Sequence, residues 1–243
     1  MSKTKPTVVW FQAITCNGNT HSLLSSNTNK FELFLDNFEL IYHPSLTIDK
    51  TLQDVLNQEE KIDFLLIEGS ISSNKDFFTI NEDSTFNYLN KLASKSKYII
   101  AVGSCASYGG IHAKFTQNSD ICGIKEALKN ENLKNLKYQI VNLTGCPVHP
   151  EWIFQTLYTL NTFGTILLDE ESRPKELYGT LAHHGCTKNE YFEWKIEGGL
   201  GQKEGCLFYE QGCRGPMTHS SCNKILWNDI SSKTRVGMPC IGC

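Results

Sequence analysis

The most informative side chains of this sequence are its ten cysteines, because thiolates bind soft metals and redox clusters. Half of them lie in the closing segment from Cys206 to Cys243. The candidate metal ligands are nine of these cysteines and one histidine: Cys16, Cys105, Cys146, His183, Cys186, Cys206, Cys213, Cys222, Cys240 and Cys243. Thiols at this density predict a metal-binding protein, and the rest of the chain must bring the distant ones together.

The composition narrows the class of protein. The chain has 243 residues and a formal net charge of -3, with no basic patch, so nucleic acid is not an expected partner. Its N-terminus shows no secretory leader or twin-arginine pair, and no stretch approaches the length of a membrane span. We therefore expect a cytoplasmic protein, or one peripheral to the inner face of the membrane. Its thiols would stay reduced there; the alternative is a disulfide-rich secreted protein.

Apolar runs alternate with helical periodicity through the first two thirds of the chain. Strands are predicted at 8–12, 62–67, 98–102 and 138–143. Helices are predicted at 49–60, around 86–93, at 123–130 and at 150–162. The stretch from 18 to 48 is uninformative. This alternation predicts an α/β domain with a parallel sheet covered on both faces.

Three cysteines follow predicted strands at the same topological position. Cys16, Cys105 and Cys146 each come a few residues after a strand end, and each lies near a glycine. A single cysteine is more often a small buried apolar residue than a ligand. Because parallel strands deliver their exit loops to one sheet edge, these three should converge on one site. Cys122 lacks this context and is assigned to packing.

Beyond residue 165 the periodicity fades. A last short strand is expected at 166–168, and two domains are predicted, 1–168 and 169–243, the second rich in loops and held together by what its cysteines bind. Its thiols suit either zinc or iron-sulfur clusters. A single Cys-x-x-Cys pair among widely spaced ligands favours iron-sulfur over zinc, without deciding between them.

Several motifs together resemble the small subunit of nickel-iron hydrogenases. They are the Cys16 loop, Gly103-Ser-Cys105 with Gly109-Gly110-Ile111, Thr144-Gly-Cys146-Pro-Val-His-Pro150, His183-His-Gly-Cys186, Cys206 with Gly212-Cys213-Arg-Gly-Pro216, and Gly237-Met-Pro-Cys240-Ile-Gly-Cys243. The match covers nearly the whole chain in order and looks closest to cytoplasmic group 2 uptake enzymes of the cyanobacterial type.

The resemblance implies a flavodoxin-like domain followed by a loop-rich cluster domain with three iron-sulfur clusters. A proximal cluster would use Cys16, Cys105 and Cys146, and a distal one Cys186, Cys206, Cys213 and His183. A medial three-iron cluster would use Cys222, Cys240 and Cys243. The nickel-iron centre belongs to the partner large subunit. The implied function is electron transfer from hydrogen oxidation to a quinone-linked or soluble acceptor, without catalytic residues in this chain.

Two departures from the family pattern leave cluster types open. Asn19 stands where most members have a fourth proximal cysteine, and Cys206 and Cys213 are seven rather than six apart. Nine cysteines divided three, three and three permit three three-iron clusters, unless His183 completes a distal four-iron cluster. The family also continues beyond the ligand at Cys243, so a C-terminal segment is expected to be absent here.

Three other functions are compatible with parts of the sequence. A hydrogen-sensing hydrogenase subunit would share every motif. The cluster-bearing subunit of a respiratory quinone reductase would share the N-terminal half but would not explain the segment from Cys206 to Cys243. A zinc-stapled structural module would explain the thiols alone.

Overall fold

A five-stranded parallel sheet forms the centre of the fold. The computed structural model describes residues 4–58, 61–76, 78–115, 120–129 and 140–243. The sheet strands are β1 (Thr7–Gln12), β2 (Glu39–Tyr42), β3 (Ile62–Glu68), β6 (Ser96–Val102) and β7 (Ile140–Leu143), and a small hairpin pairs β4 (Thr79–Ile80) with β5 (Asp83–Ser84). The order β2-β1-β3-β6-β7 is the flavodoxin-like order, which confirms the predicted parallel α/β fold.

Helices follow most strands. They are α1 (Gly18–Leu24), α2 (Thr28–Asn37), α3 (Leu52–Asn57), α4 (Thr85–Ala93), α5 (Ser104–Tyr108), α6 (Gly110–Phe115), α7 (Ile124–Ala127), α8 (Pro150–Phe163), α9 (Lys175–Tyr178) and α10 (Asn189–Glu193), with 3-10 turns at Ala182–Gly185 and Gly215–Met217. The predicted helices at 49–60 and 123–130 are shorter than expected. Positions 59, 60 and 130 of these helices, and positions 138 and 139 of the fourth predicted strand, lie outside the described residues.

The stretch that the sequence left uninformative contains α1, α2 and β2. β2 has four residues and lies at the sheet edge, and Glu39 on it is exposed. α1 carries the polar residues Asn19, Thr20 and Ser22 on its buried side, so it has no apolar stripe. Both elements are stabilised by tertiary contacts rather than by a local periodic pattern, which is why the sequence did not predict them.

Both faces of the sheet are buried. Alternate strand residues such as Val8, Trp10 and Leu66 pack on one face, where α2 and α8 cover them. Their neighbours Val9 and Leu65 pack on the other, beneath α3, α4 and α7. A strand that is buried on both sides needs a nearly continuous run of apolar residues. This is why β1, β3 and β6 could be predicted from the sequence.

The chain after α8 consists mainly of loops and short turns. The strand expected at 166–168 is wrong, because Leu168 makes one isolated antiparallel bridge to Pro174 and proline has no N–H with which to extend a ladder. The division into domains at 168 and 169 stays a prediction. Within the described ranges, none of the helices combines the length and apolarity needed to cross a bilayer.

Candidate functional site

Three sheet-edge loops bring together the first group of thiols. Cys16 follows β1, Cys105 lies in α5 after β6, and Cys146 follows β7. The Ser104 N–H donates to the carbonyl of Gly145 at 2.9 Å, which joins two of the loops. Burial, and then the nearby thiolates of Cys146 and Cys16, raise the pKa of Cys105. Cys16 and Cys146 are exposed, so this group lies at the surface.

A buried carboxylate at the end of β3 holds the loop of Cys16 in place. One oxygen of Glu68 accepts hydrogen bonds from Trp10 Nε1 at 3.1 Å and Thr20 Oγ1 at 2.5 Å. The other accepts from Thr15 Oγ1 at 3.1 Å and from the Asn19 N–H at 2.9 Å. Gln12 Nε2 at 3.5 Å and the Thr20 N–H at 3.3 Å also donate to it. Six groups therefore donate to one fully buried carboxylate, and four of them belong to the segment from Thr15 to Thr20. No local pattern in the sequence marks Glu68 as a positioning residue.

A second group lines an enclosed cavity in the loop-rich region. His183, Cys186, Cys206 and Cys213 all border it. Burial, followed by the nearby thiolates of Cys213 and Cys186, raises the pKa of Cys206. Burial and the adjacent His184 lower the pKa of His183, which favours the neutral imidazole that binds metal. His184 is exposed, so His183 is the histidine of the pair that fits a ligand role.

A buried lysine supports this second group. The Lys188 N–H donates to Cys186 Sγ at 3.4 Å. Its Nζ donates to the carbonyls of Gln202 and Lys203 at 2.8 Å each, and to that of Gly205 at 3.0 Å. These bonds fix the loop that leads into Cys206. The sequence contained a signal for Lys188 only in its position two residues after a candidate ligand.

A third group surrounds a cavity of about 130 Å³ near the C-terminal residues. Cys222, Cys240 and Cys243 border it, together with Trp227. Burial, and then the thiolates of Cys240 and Cys243, raise the pKa of Cys222, whereas the Ser220 hydroxyl lowers it. The structure therefore brings together the three cysteines that the sequence analysis assigned to the medial site.

The three groups are neighbours in space. Cys146 of the first group borders the cavity of the third group. The N–H of Cys240, in the third group, donates to Cys213 Sγ of the second at 3.2 Å. The third group, which corresponds to the predicted medial site, thus lies between the other two. A path from the sheet edge to the second group passes through it.

The chemistry of these thiols suits multi-iron clusters. Buried thiols whose neighbours oppose ionisation become thiolates when a cationic centre compensates their charge. Over the described ranges, no three His, Cys, Asp or Glu side chains lie close enough together to hold a single metal ion. A cluster spreads its ligands around several irons, which fits thiols placed around a cavity. Cys122 lies apart from all three groups, in an isolated bridge with Ile71.

Comparison with known proteins gives the family. Residues 16–160 match the family model described as NADH ubiquinone oxidoreductase, 20 Kd subunit, and residues 178–243 match the model for the C-terminal part of the NiFe/NiFeSe hydrogenase small subunit. The periplasmic [NiFe] hydrogenase small subunit 1 of Nitratidesulfovibrio vulgaris is 30% identical over 98% of this chain and 78% of its own length. The chain belongs to the small-subunit family of nickel-iron hydrogenases.

Other hydrogenase small subunits match along the same length. The hydrogenase-2 small chain of Escherichia coli K12 is 28% identical over 98% of this chain and 67% of its own. The solved [NiFeSe] hydrogenase of Desulfovibrio vulgaris Hildenborough is similar with a TM-score of 0.84 and 27% identity, covering 100% of this chain and 94% of the other. The quinone reductase alternative is disfavoured because the hydrogenase-specific match covers the segment that it does not explain.

Proposed function

We propose that this hydrogenase small subunit transfers electrons from hydrogen oxidation in a large subunit through three iron-sulfur clusters. When bound, such clusters would act as one-electron carriers, and their reduction potentials would depend on cluster type and surroundings. The observation that carries the proposal is the succession of the three cysteine groups. Cys146 borders the medial cavity, and the Cys240 N–H contacts Cys213, so adjacent groups are close enough for electron transfer.

The ligand sets of the three clusters follow from these groups. Cys16, Cys105 and Cys146 would hold the proximal cluster. Cys186, Cys206, Cys213 and His183 would hold the distal one. Cys222, Cys240 and Cys243 would hold the medial one. This assignment leaves Cys122 without a ligand role.

We propose that the large subunit covers the surface around the proximal group, which consists of Cys16, Cys105 and Cys146. Cys16 and Cys146 are exposed there, although their role requires shielding from water. Tyr108 and Ile111, on either side of the Gly109-Gly110 turn that follows Cys105, are 45% and 65% exposed. Exposed apolar side chains beside exposed thiols indicate a surface that is buried by a partner. The nickel-iron centre would belong to that partner.

We further propose the uptake direction, a quinone-linked or soluble acceptor and a cytoplasmic location of the group 2 type. The uptake hydrogenase small subunit of Azotobacter vinelandii is 26% identical over 100% of this chain and 70% of its own length, which supports the direction. Loss of a fourth iron also moves a cluster to higher potential, which favours hydrogen consumption.

Anaerobic co-purification with the large subunit tests this function. The complex should be brown, contain iron and sulfide, and reduce a viologen dye with hydrogen faster than it evolves hydrogen from the reduced dye. Cys213→Ser should lower the dye-reduction rate and the iron content together, because it removes a ligand of the distal group. A colourless protein that contains zinc, or a complex that mainly evolves hydrogen, would contradict the proposal.

A further inference from the structure

Position 19 of the proximal group contains an amide where a fourth ligand could stand. Asn19 follows Cys16 by three positions, the Cys-x-x spacing that lets two residues reach one cluster. Asn19 is buried, with 7% of the residue exposed. This carboxamide could bind iron only if its oxygen were free of other partners.

Both polar atoms of the Asn19 side chain already have hydrogen-bond partners within the protein. Its Oδ1 accepts a hydrogen bond from the Val148 N–H at 2.9 Å. Its Nδ2 donates to the carbonyl of Val102 at 3.2 Å. Val102 ends β6, just before Cys105, and Val148 lies two residues after Cys146. One carboxamide therefore links the three loops that carry the proximal thiols.

The backbone is built around this amide. A Cβ atom on Gly103 would lie 2.4 Å from Asn19 Nδ2, and Gly103 has a φ of +91°. Only glycine leaves the room that the amide occupies. The close approach shows that Asn19 occupies a fixed position between the loops and does not point freely towards the thiols.

Binding iron would break this arrangement. If Oδ1 turned to a metal, the buried N–H of Val148 would lose its partner, and an unpaired buried N–H is unfavourable. A neutral amide oxygen is also a weak ligand for a soft iron-sulfur cluster. The hydrogen-bonded position is therefore the favoured one.

Nearby oxygen-bearing side chains are engaged as well. The Ser70 hydroxyl, which contacts Cys105 Sγ, donates to the carbonyl of Gly109 at 2.8 Å. Both oxygens of Glu68 accept hydrogen bonds from the segment around Cys16. Both side chains are therefore held in place by hydrogen bonds within the protein.

We propose that Asn19 clamps the three ligand loops and binds no iron, so that this subunit holds the proximal cluster by three thiolates and the fourth iron is exchangeable. This inference rests on the proposed function. Oxidative loss of that iron is [4Fe–4S]2+ → [3Fe–4S]+ + Fe2+ + e−. Ferricyanide takes up the electron and EDTA binds the released Fe2+.

The experiment compares wild type, Asn19→Cys and Asn19→Ala as anaerobically purified complexes with the large subunit. Each is treated with ferricyanide and EDTA, and iron content and the spin count of three-iron EPR signals are measured before and after. Ferrous iron with dithionite is then added to test recovery. The medial and distal ligand sets are the same in all three proteins, so differences report on position 19.

Wild type and Asn19→Ala should end with one more three-iron centre per complex than Asn19→Cys, which gains the missing thiolate. A wild-type complex that already lacks the iron as purified should show that extra centre before oxidation, and Asn19→Cys should not. Asn19→Ala should also lose its clusters at lower temperature, because two hydrogen bonds between loops are gone.

Two results would overturn the inference. In the first, wild type keeps its proximal iron as firmly as Asn19→Cys does. In the second, wild type keeps it while Asn19→Ala releases it, which would identify the amide as a ligand. A complex without any iron-sulfur cluster would instead refute the proposed function, so the two failures are distinguishable.

Discussion

Glu68→Gln should lower the thermal stability of the sheet edge that carries Cys16. The carboxylate is fully buried and accepts six hydrogen bonds, three on each oxygen. A glutamine presents one oxygen and one NH2 group to these donors. The threonine hydroxyls can rotate and accept from the NH2 group, but an N–H group cannot. Either Trp10 Nε1 or the N–H groups of Asn19 and Thr20 would therefore lose their acceptor.

The size of the effect follows from the bonds lost. All six donors lose a charged acceptor, and at least one of them loses its acceptor altogether. Hydrogen bonds to charged groups contribute about 1.5–3 kcal/mol each, against about 1 kcal/mol for neutral ones. The expected loss is therefore at least about 3 kcal/mol, or roughly 6–12 °C in the midpoint of thermal unfolding for a domain of this size.

The assay follows the iron-sulfur absorbance of the anaerobic complex during heating at one scan rate, because the clusters lie in this subunit. Glu170→Gln is the matched control: Glu170 is exposed, and its change should cost less than about 0.5 kcal/mol. Glu68→Asp keeps the charge and should fall between wild type and Glu68→Gln. A Glu68→Gln midpoint equal to that of Glu170→Gln would refute this account of how the Cys16 loop is held.

Three further predictions concern other positions. Burial lowers the pKa of His149 to about 4, so on acidification the unfolded chain binds a proton at this residue before the folded chain does. Going from pH 7 to pH 5 should therefore lower the free energy of unfolding by about 2 kcal/mol through His149. In His149→Asn the midpoint of thermal unfolding should fall less over the same pH range. Both Gly103 and Gly212 have positive φ, but an added Cβ would clash with Asn19 at Gly103 and meets nothing within 4 Å at Gly212. Gly103→Ala should therefore lower the free energy of unfolding by about 1–3 kcal/mol more than Gly212→Ala does. Equal midpoints of thermal unfolding in the two variants would contradict the clash with Asn19. Cys222→Ser should remove the medial three-iron EPR signal and lower the iron content, whereas Cys122→Ser should change neither; an iron loss in Cys122→Ser would make that residue a ligand.

The sequence predicted the parts of the fold that local pattern determines. β1, β3 and β6 are buried on both faces, so they needed continuous apolar runs such as Val8–Phe11 and Phe64–Ile67, and these were readable. Parallel strands then fixed the common edge at which Cys16, Cys105 and Cys146 had to meet. The edge strand β2 and the polar helix α1 carry no such pattern and were not predicted.

The tertiary structure decided how the ligand groups are held and connected. The sequence shows that position 19 is asparagine, but its role depends on Val102 and Val148, which are 83 and 129 positions away. Likewise, Cys146 borders the medial cavity, and Glu68 anchors the Cys16 loop. Residue types and spacing determine which chemistry is present in this chain. Which atoms are already hydrogen-bonded, and which remain available to a cluster, depends on contacts between distant residues that only folding creates.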